Sequence, residues 1–163
     1  MKKVLFLIVI ILALASCQHN DICTENQPTT PKLVIKFYNY NNPNQLKPVE
    51  EFNAREVNSE NYYYENNRND TLIKIPLRTN HQSTVYEFII NKDSMDIQQS
   101  ASIEFIYTPE EIYINRPCGF RAVFENFDVQ VLDNNPDTWI KAIEIPHENT
   151  INDEESAHLY IYH

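Results

Sequence analysis

From residue 31 onward, apolar residues recur at every second position, in short runs. Leu33, Ile35 and Phe37 fall on one side, with Lys36, Tyr38 and Tyr40 on the other. The same alternation runs through Ile73, Ile75 and Leu77, and through Tyr86, Phe88 and Ile90. Ala101, Ile103, Phe105 and Tyr107 alternate with Ser102 and Glu104. Phe120, Ala122 and Phe124 follow, and then Phe127, Val129 and Val131. Ile143 and Ile145 precede Pro146, and Leu159 with Ile161 ends the pattern. A period of two puts one residue set on each face of an extended strand, whereas a helix face needs a period near 3.6. The runs are rich in Ile, Val, Phe and Tyr and are separated by Asn, Asp and Pro clusters, which are strand and turn chemistry respectively. Val49 to Val57, the one modest helix candidate, reads better as a strand with its flanking turn. The pattern predicts an all-β chain, a single antiparallel β-sandwich of about eight or nine strands, with a small β-barrel as the alternative.

The 163 residues contain a single glycine, Gly119. No Gly-rich phosphate cradle can therefore be written, neither G-x-G-x-x-G nor a P-loop. Asn takes over the turn positions, because it tolerates left-handed backbone best after Gly. With 13 Lys and Arg against 23 Asp and Glu, the formal charge is −10. That excludes the basic stripe that nucleic-acid phosphates demand. Neither an internal repeat nor a second domain is visible. His147 to Ser156, with Glu148, Asp153, Glu154 and Glu155, reads as an acidic loop between the last two strands.

The N-terminus has its own logic. Lys2 and Lys3 precede Val4 to Leu14, an unbroken apolar run of eleven residues. A membrane span needs about 20, so this run has the length of a signal-peptide core. It leads into Leu14-Ala15-Ser16-Cys17, which resembles the lipobox of bacterial lipoproteins. The resemblance implies cleavage before Cys17, acylation of its sulfur and amine, and a lipid bilayer as partner. Two or more acyl chains anchor stably, whereas one holds only marginally. Residues 1–16 are then the signal peptide, 17–31 a lipidated tether and linker, and 32–163 the β-sandwich domain. Without Lys2 and Lys3, 11 bases face 23 acids, a mature charge of −12. Such a domain is repelled by anionic headgroups, so the lipid does the anchoring. Gln18-His19-Asn20-Asp21 carries one acid, short of the acidic cluster that tends to mark surface export in Bacteroidota lipoproteins. The expected location is the outer membrane, on its periplasmic face.

With Cys17 assigned to lipid, Cys23 and Cys118 remain, an even pair in an oxidising compartment. Neither lies in a C-x-x-C or has zinc-site spacing. One disulfide is the simplest reading. The alternative is two unrelated thiols, Cys118 buried in a strand and Cys23 loose in the tether. Closing a loop of nearly 95 residues would stabilise by about 4–5 kcal/mol through chain entropy.

Several short stretches resemble an uncharacterised lipoprotein family of Bacteroidota, a domain of unknown function. They are Asp21 to Thr24, the first strand from Pro31 to Tyr38, and Arg116-Pro117-Cys118-Gly119-Phe120. Asp133 to Trp139 with Ile140-Lys141, and His158 to Tyr162, complete the set. The resemblance spans nearly the whole mature chain. It implies an all-β lipoprotein and no activity.

Candidate chemistry is sparse. Asp133, Asn135 and Asp137 with Glu144 match part of a calcium-loop spacing. Thr138 stands where the sharp-turn glycine belongs, Pro136 stiffens the loop and Lys141 places a cation among the ligands. A turn anchored by Trp139 is the better reading, with a looser calcium site near Asp133 to Asp137 left open. The histidines, His19, His81, His147, His158 and His163, form no H-E-x-x-H, and no G-x-S-x-G is possible. Glu110-Glu111 and Glu154-Glu155 are neighbours, so on a strand they point to opposite faces and cannot flank a substrate. No catalytic residue, metal ligand or cofactor is expected. Tyr62-Tyr63-Tyr64 stands out: a packing role turns Tyr63 inward and leaves Tyr62 and Tyr64 outward. These two are possible ligand-binding residues beside Asn61, Glu65 and Asn66. The reading is a non-enzymatic envelope lipoprotein whose β-sandwich surface meets a protein partner; the alternative is a small glycan-binding module using exposed Tyr.

Cys17→Ala is expected to abolish labelling by radiolabelled or clickable fatty acid and to release the protein from normal membrane partitioning. Labelling that persists in the variant would refute Cys17 as the lipidation site.

Overall fold

The computed structural model describes residues 22–24, 26–57, 59–65, 70–91, 98–132 and 138–163, without the side chains of residues 64 and 65. Among these residues there is no helix. Ten strands follow in chain order: β1 (Leu33–Asn39), β2 (Asn42–Leu46), β3 (Asn53–Glu56), β4 (Tyr62–Glu65) and β5 (Leu72–Ile75) come first. β6 (Ser83–Ile90), β7 (Gln99–Asn115), β8 (Gly119–Val131), β9 (Ala142–Glu144) and β10 (Leu159–Tyr162) complete the set. They form two open five-stranded sheets, a sandwich rather than a closed barrel. One sheet runs β2-β1-β10-β9, with β5 also on β1; the other runs β4-β3-β6-β7-β8.

β1 organises the first sheet. Its first half pairs with β5 and its second half with β2, so both share one edge. Its other edge pairs with β10 in parallel, Ile35 opposite Leu159 and Phe37 opposite Ile161. Every other strand pair described is antiparallel. A parallel pair cannot be closed by a tight turn. Here none is needed, since β1 and β10 lie near opposite ends of the chain. Leu33, Ile35 and Phe37 point inward with Ile73, Ile75, Leu159 and Ile161, against Phe88, Ile103, Phe105 and Phe124 of the second sheet. Aromatic rings bridge the layers: Phe37 meets Phe52 at 5.4 Å between centroids, and Phe52 meets Phe88 at 5.1 Å.

Two features depart from the periodicity of the sequence. β2, Asn-Pro-Asn-Gln-Leu, is wholly exposed; as an edge strand it buries nothing, so no apolar alternation marks it. Phe120 to Phe124 and Phe127 to Val131 belong to one strand, not two. Asn126, at φ 54°, is the extra residue of a bulge, which resets the alternation so that Phe124 and Phe127 both face inward. Asn is the non-glycine residue best suited to that backbone. The edge of β8 is also covered. Thr30 Oγ1 accepts from the Ala122 amide, Ile151 bridges Phe124, and the Phe127 amide donates to Asn149 O. The linker and the loop 147–156 thus shield an edge that would otherwise invite strand pairing. That loop leads into β10, as expected.

His158 lies buried at the start of this arrangement. Its Nδ1 accepts from the Val34 amide at 3.0 Å, and its own amide donates to Val34 O at 2.9 Å, extending the β1–β10 ladder. Burial holds the imidazole below its ordinary value of 6.5, against the pull of Asp153 and Glu154. Burial likewise lowers His163. A neutral Nδ1 is the acceptor here, so protonation removes the bond. Because the folded value lies below the unfolded one, the contribution is complete above about pH 6.5 and is lost as pH falls towards the folded value. Thermal unfolding from pH 7.5 to pH 5 should show the parent losing more stability than His158→Asn, whose amide oxygen can still accept from Val34. Equal losses in the two proteins would contradict this role.

Candidate interaction surface

Sheet pairing decides which outward side chains of the first sheet meet. Leu46, Tyr38, Tyr162 and Ala142 stand opposite one another across β2, β1, β10 and β9. The next row is Leu72, Lys36, Tyr160 and Glu144. The tyrosines of β1 and β10 thereby form one cluster, with Tyr38 centred 4.9 Å from Tyr160 and 5.7 Å from Tyr162. All three are half-buried, and Leu46 and Leu72 are exposed together on the side of β1 away from β10. Tyr162 donates to Glu144 Oε2 at 2.6 Å. That bond, followed by burial, raises the phenol to about 12. Burial comes first in raising Tyr160. The result is an aromatic sheet face with Glu144 at its β9 side and Lys36 at its other side, between Tyr160 and Leu72. Tyr suits such a place, with an apolar ring for contact and a hydroxyl that keeps a partner.

The Tyr62-Tyr63-Tyr64 run is arranged differently from the alternation expected of it. Arg55 pairs with Tyr62 and Ala54 with Tyr64, so Tyr63 is the extra residue of a bulge. Tyr63 is 45% exposed, whereas Tyr62 is half-buried under the Arg55 guanidinium, 5.8 Å from its ring centre. The side chain of Tyr64 lies outside the described residues. A bulge breaks strict alternation, so the solvent-facing ring of this pair is Tyr63 rather than Tyr62.

Cys23 and Cys118 form a disulfide, their Cα atoms 4.8 Å apart. Asn115 Oδ1 accepts from the Cys118 amide in the β7–β8 turn. Cys17 and the 133–137 segment lie outside the described residues. Trp139 is buried against Phe37 and His163, and Glu144 is engaged by Tyr162. His81 and His147 are exposed, while His158 and His163 are more enclosed, and His147 is near enough to His158 to oppose its positive charge. Among the described residues no three His, Cys, Asp or Glu side chains converge as a metal site would require. Glu110 and Glu111 are both exposed on β7.

Residues 53–163 match a family of unknown function, DUF6452. The chain belongs to that family. Residues 1–18 match the prokaryotic membrane lipoprotein lipid attachment site, which makes this a DUF6452 protein with a lipoprotein signature at its N-terminus. Neither a curated protein nor a solved structure matches the chain. The DUF6452 match takes in β3 to β10, including Cys118, Tyr160 and Tyr162. β1, β2 and Cys23 precede it, although β1 and β2 complete the first sheet and Cys23 completes the disulfide.

The tyrosine cluster is the feature that periodicity alone did not assemble. Alternation puts Tyr38 on the outward face of β1, and Tyr160 and Tyr162 on the face of β10 opposite to Leu159 and Ile161. It gave no sign that β1 and β10 are neighbours.

Proposed function

We propose that this DUF6452 protein is a non-enzymatic envelope lipoprotein that presents the outer face of its first sheet to a protein partner. Acylated Cys17 tethers it, and the outer membrane of a bacterium of the Bacteroidota, on the periplasmic side, is its place of work. The observation that carries the reading is the Tyr38, Tyr160 and Tyr162 cluster with exposed Leu46 and Leu72 along the one edge that β2 and β5 share. Contiguous apolar surface with a charged border is what protein interfaces use, and Tyr is enriched at their centres. The paired border charges Lys36 and Glu144 favour a partner of mixed charge over a strongly basic or acidic one. The arrangement supports a protein more than a sugar. The three rings lean on one another, tilted by 59° and 34°, and are half-buried, so little free ring face remains for a pyranose to stack upon.

A photocrosslinking residue in place of Leu72, in the full-length tagged protein in its own envelope, should give one discrete protein adduct. The same residue in place of Glu104, on the outer face of the second sheet, should give none. The Leu72 adduct should disappear when Tyr38→Ala and Tyr160→Ala are added, with the fold intact by circular dichroism. Adducts of equal yield from both faces, or none from Leu72, would overturn the assignment. Retention on a glycan array that is lost in Tyr62→Ala or Tyr63→Ala would favour the sugar-binding alternative.

A further inference from the structure

The β7–β8 hairpin runs past the core. On β8 the inward-facing series Phe124, Ala122, Phe120 begins buried and ends exposed, because the opposite sheet no longer covers it. Tyr113 and Phe120, opposite one another across the hairpin, are 58% and 63% exposed and touch ring to ring at 5.3 Å. Ile112, next to Tyr113 and so on the other face of the hairpin, is exposed as well. Exposed aromatic and aliphatic groups at the tip of a projecting arm need a reason. The disulfide supplies one. It fastens Cys23 to Cys118 in the turn of this hairpin. Cys17, the cysteine of the lipid attachment match, is six residues before Cys23, a reach of at most about 20 Å. Ile22, the last described residue before the disulfide, is 80% exposed at the same end. Charge points the same way. The turn itself carries exposed Arg116 and no acid; Arg121 donates to Asn152 O beside the acidic loop, and exposed Glu110 and Glu111 lie further from the tip on β7.

We infer that the β7–β8 tip is a membrane-contact element: Tyr113, Phe120 and Ile112 enter the headgroup–acyl boundary of the leaflet that carries the lipid anchor. The inference rests on acylation of Cys17. Aromatic side chains favour that boundary, and Arg116 beside them meets anionic headgroups while the acidic remainder is held away. The lipid supplies the affinity, and the tip sets the orientation. The domain stands end-on, and the tyrosine face of the first sheet looks sideways, free for a partner.

The test uses the full-length lipidated protein, purified and reconstituted into phosphatidylethanolamine–phosphatidylglycerol vesicles, with brominated lipids as contact quenchers. The parent has one tryptophan, buried Trp139, which should keep its emission. Phe120→Trp places a second at an exposed position, so folding is preserved, and its added emission should be lost when the bromines lie near the headgroup. Adding Cys23→Ser and Cys118→Ser frees the tip from the tether and should restore part of that emission. Flotation of the same vesicles reports the anchor separately. Vesicles that float with the protein but leave the emission of Phe120→Trp unquenched overturn the tip contact and leave the anchor standing. They would assign the tip to a protein instead. Protein that does not float overturns both.

Discussion

The parallel pairing of β1 with β10 holds the first sheet together. β2 and β5 both hang on the opposite edge of β1, and β9 reaches the sheet only through β10. Leu33, Ile35 and Phe37 carry the inner face of β1 into the core, all fully buried. Truncating one such side chain costs about 2–5 kcal/mol, against a net stability of about 5–15 kcal/mol for a typical domain. A strand that buries three of them and pairs along both edges cannot leave without the sheet. His158 extends the same ladder with its imidazole, and Glu154 draws the preceding loop onto it. Burial opposes the ionised Glu154 carboxyl, yet hydrogen bonds from Lys74 and the Lys32 amide outweigh it and hold the group below its usual value.

This construction also fixes where function can sit. One pairing places the outward tyrosines of β1 and β10 together, which makes the face proposed for a partner a direct consequence of the fold's central contact. The disulfide fixes the other pole. It ties the lipid-bearing end of the chain to the hairpin tip, so tether and sandwich cannot swing independently. The proposed partner face and the inferred lipid contact are compatible because they lie on different parts of the sandwich.

Much of this was legible in the residues. Period-two alternation named the inward faces of β1, β5, β6, β7 and β10, because each buries one face against a single core. The even cysteine pair gave the disulfide. What escaped notice lacks a local signature. β2 buries nothing, so its composition reads as loop. The bulges at Tyr63 and Asn126 shift side chains by one place, and only the partner strand reveals the shift. The tyrosine cluster depends on a contact between residues more than 120 positions apart, and alternation is blind to separation. Phe120 looked like core by its spacing, and the length of the opposite sheet made it surface.

Native-state hydrogen exchange on the mature protein tests the central claim most directly. If β1 and β10 hold the sandwich together, the amides of Val34, Phe37 and Ile161 exchange only by global unfolding, with the same opening free energy as the slowest amides of β6 and β7. Exchange of the β1 and β10 amides through smaller openings, while β6 and β7 stay protected, would contradict it.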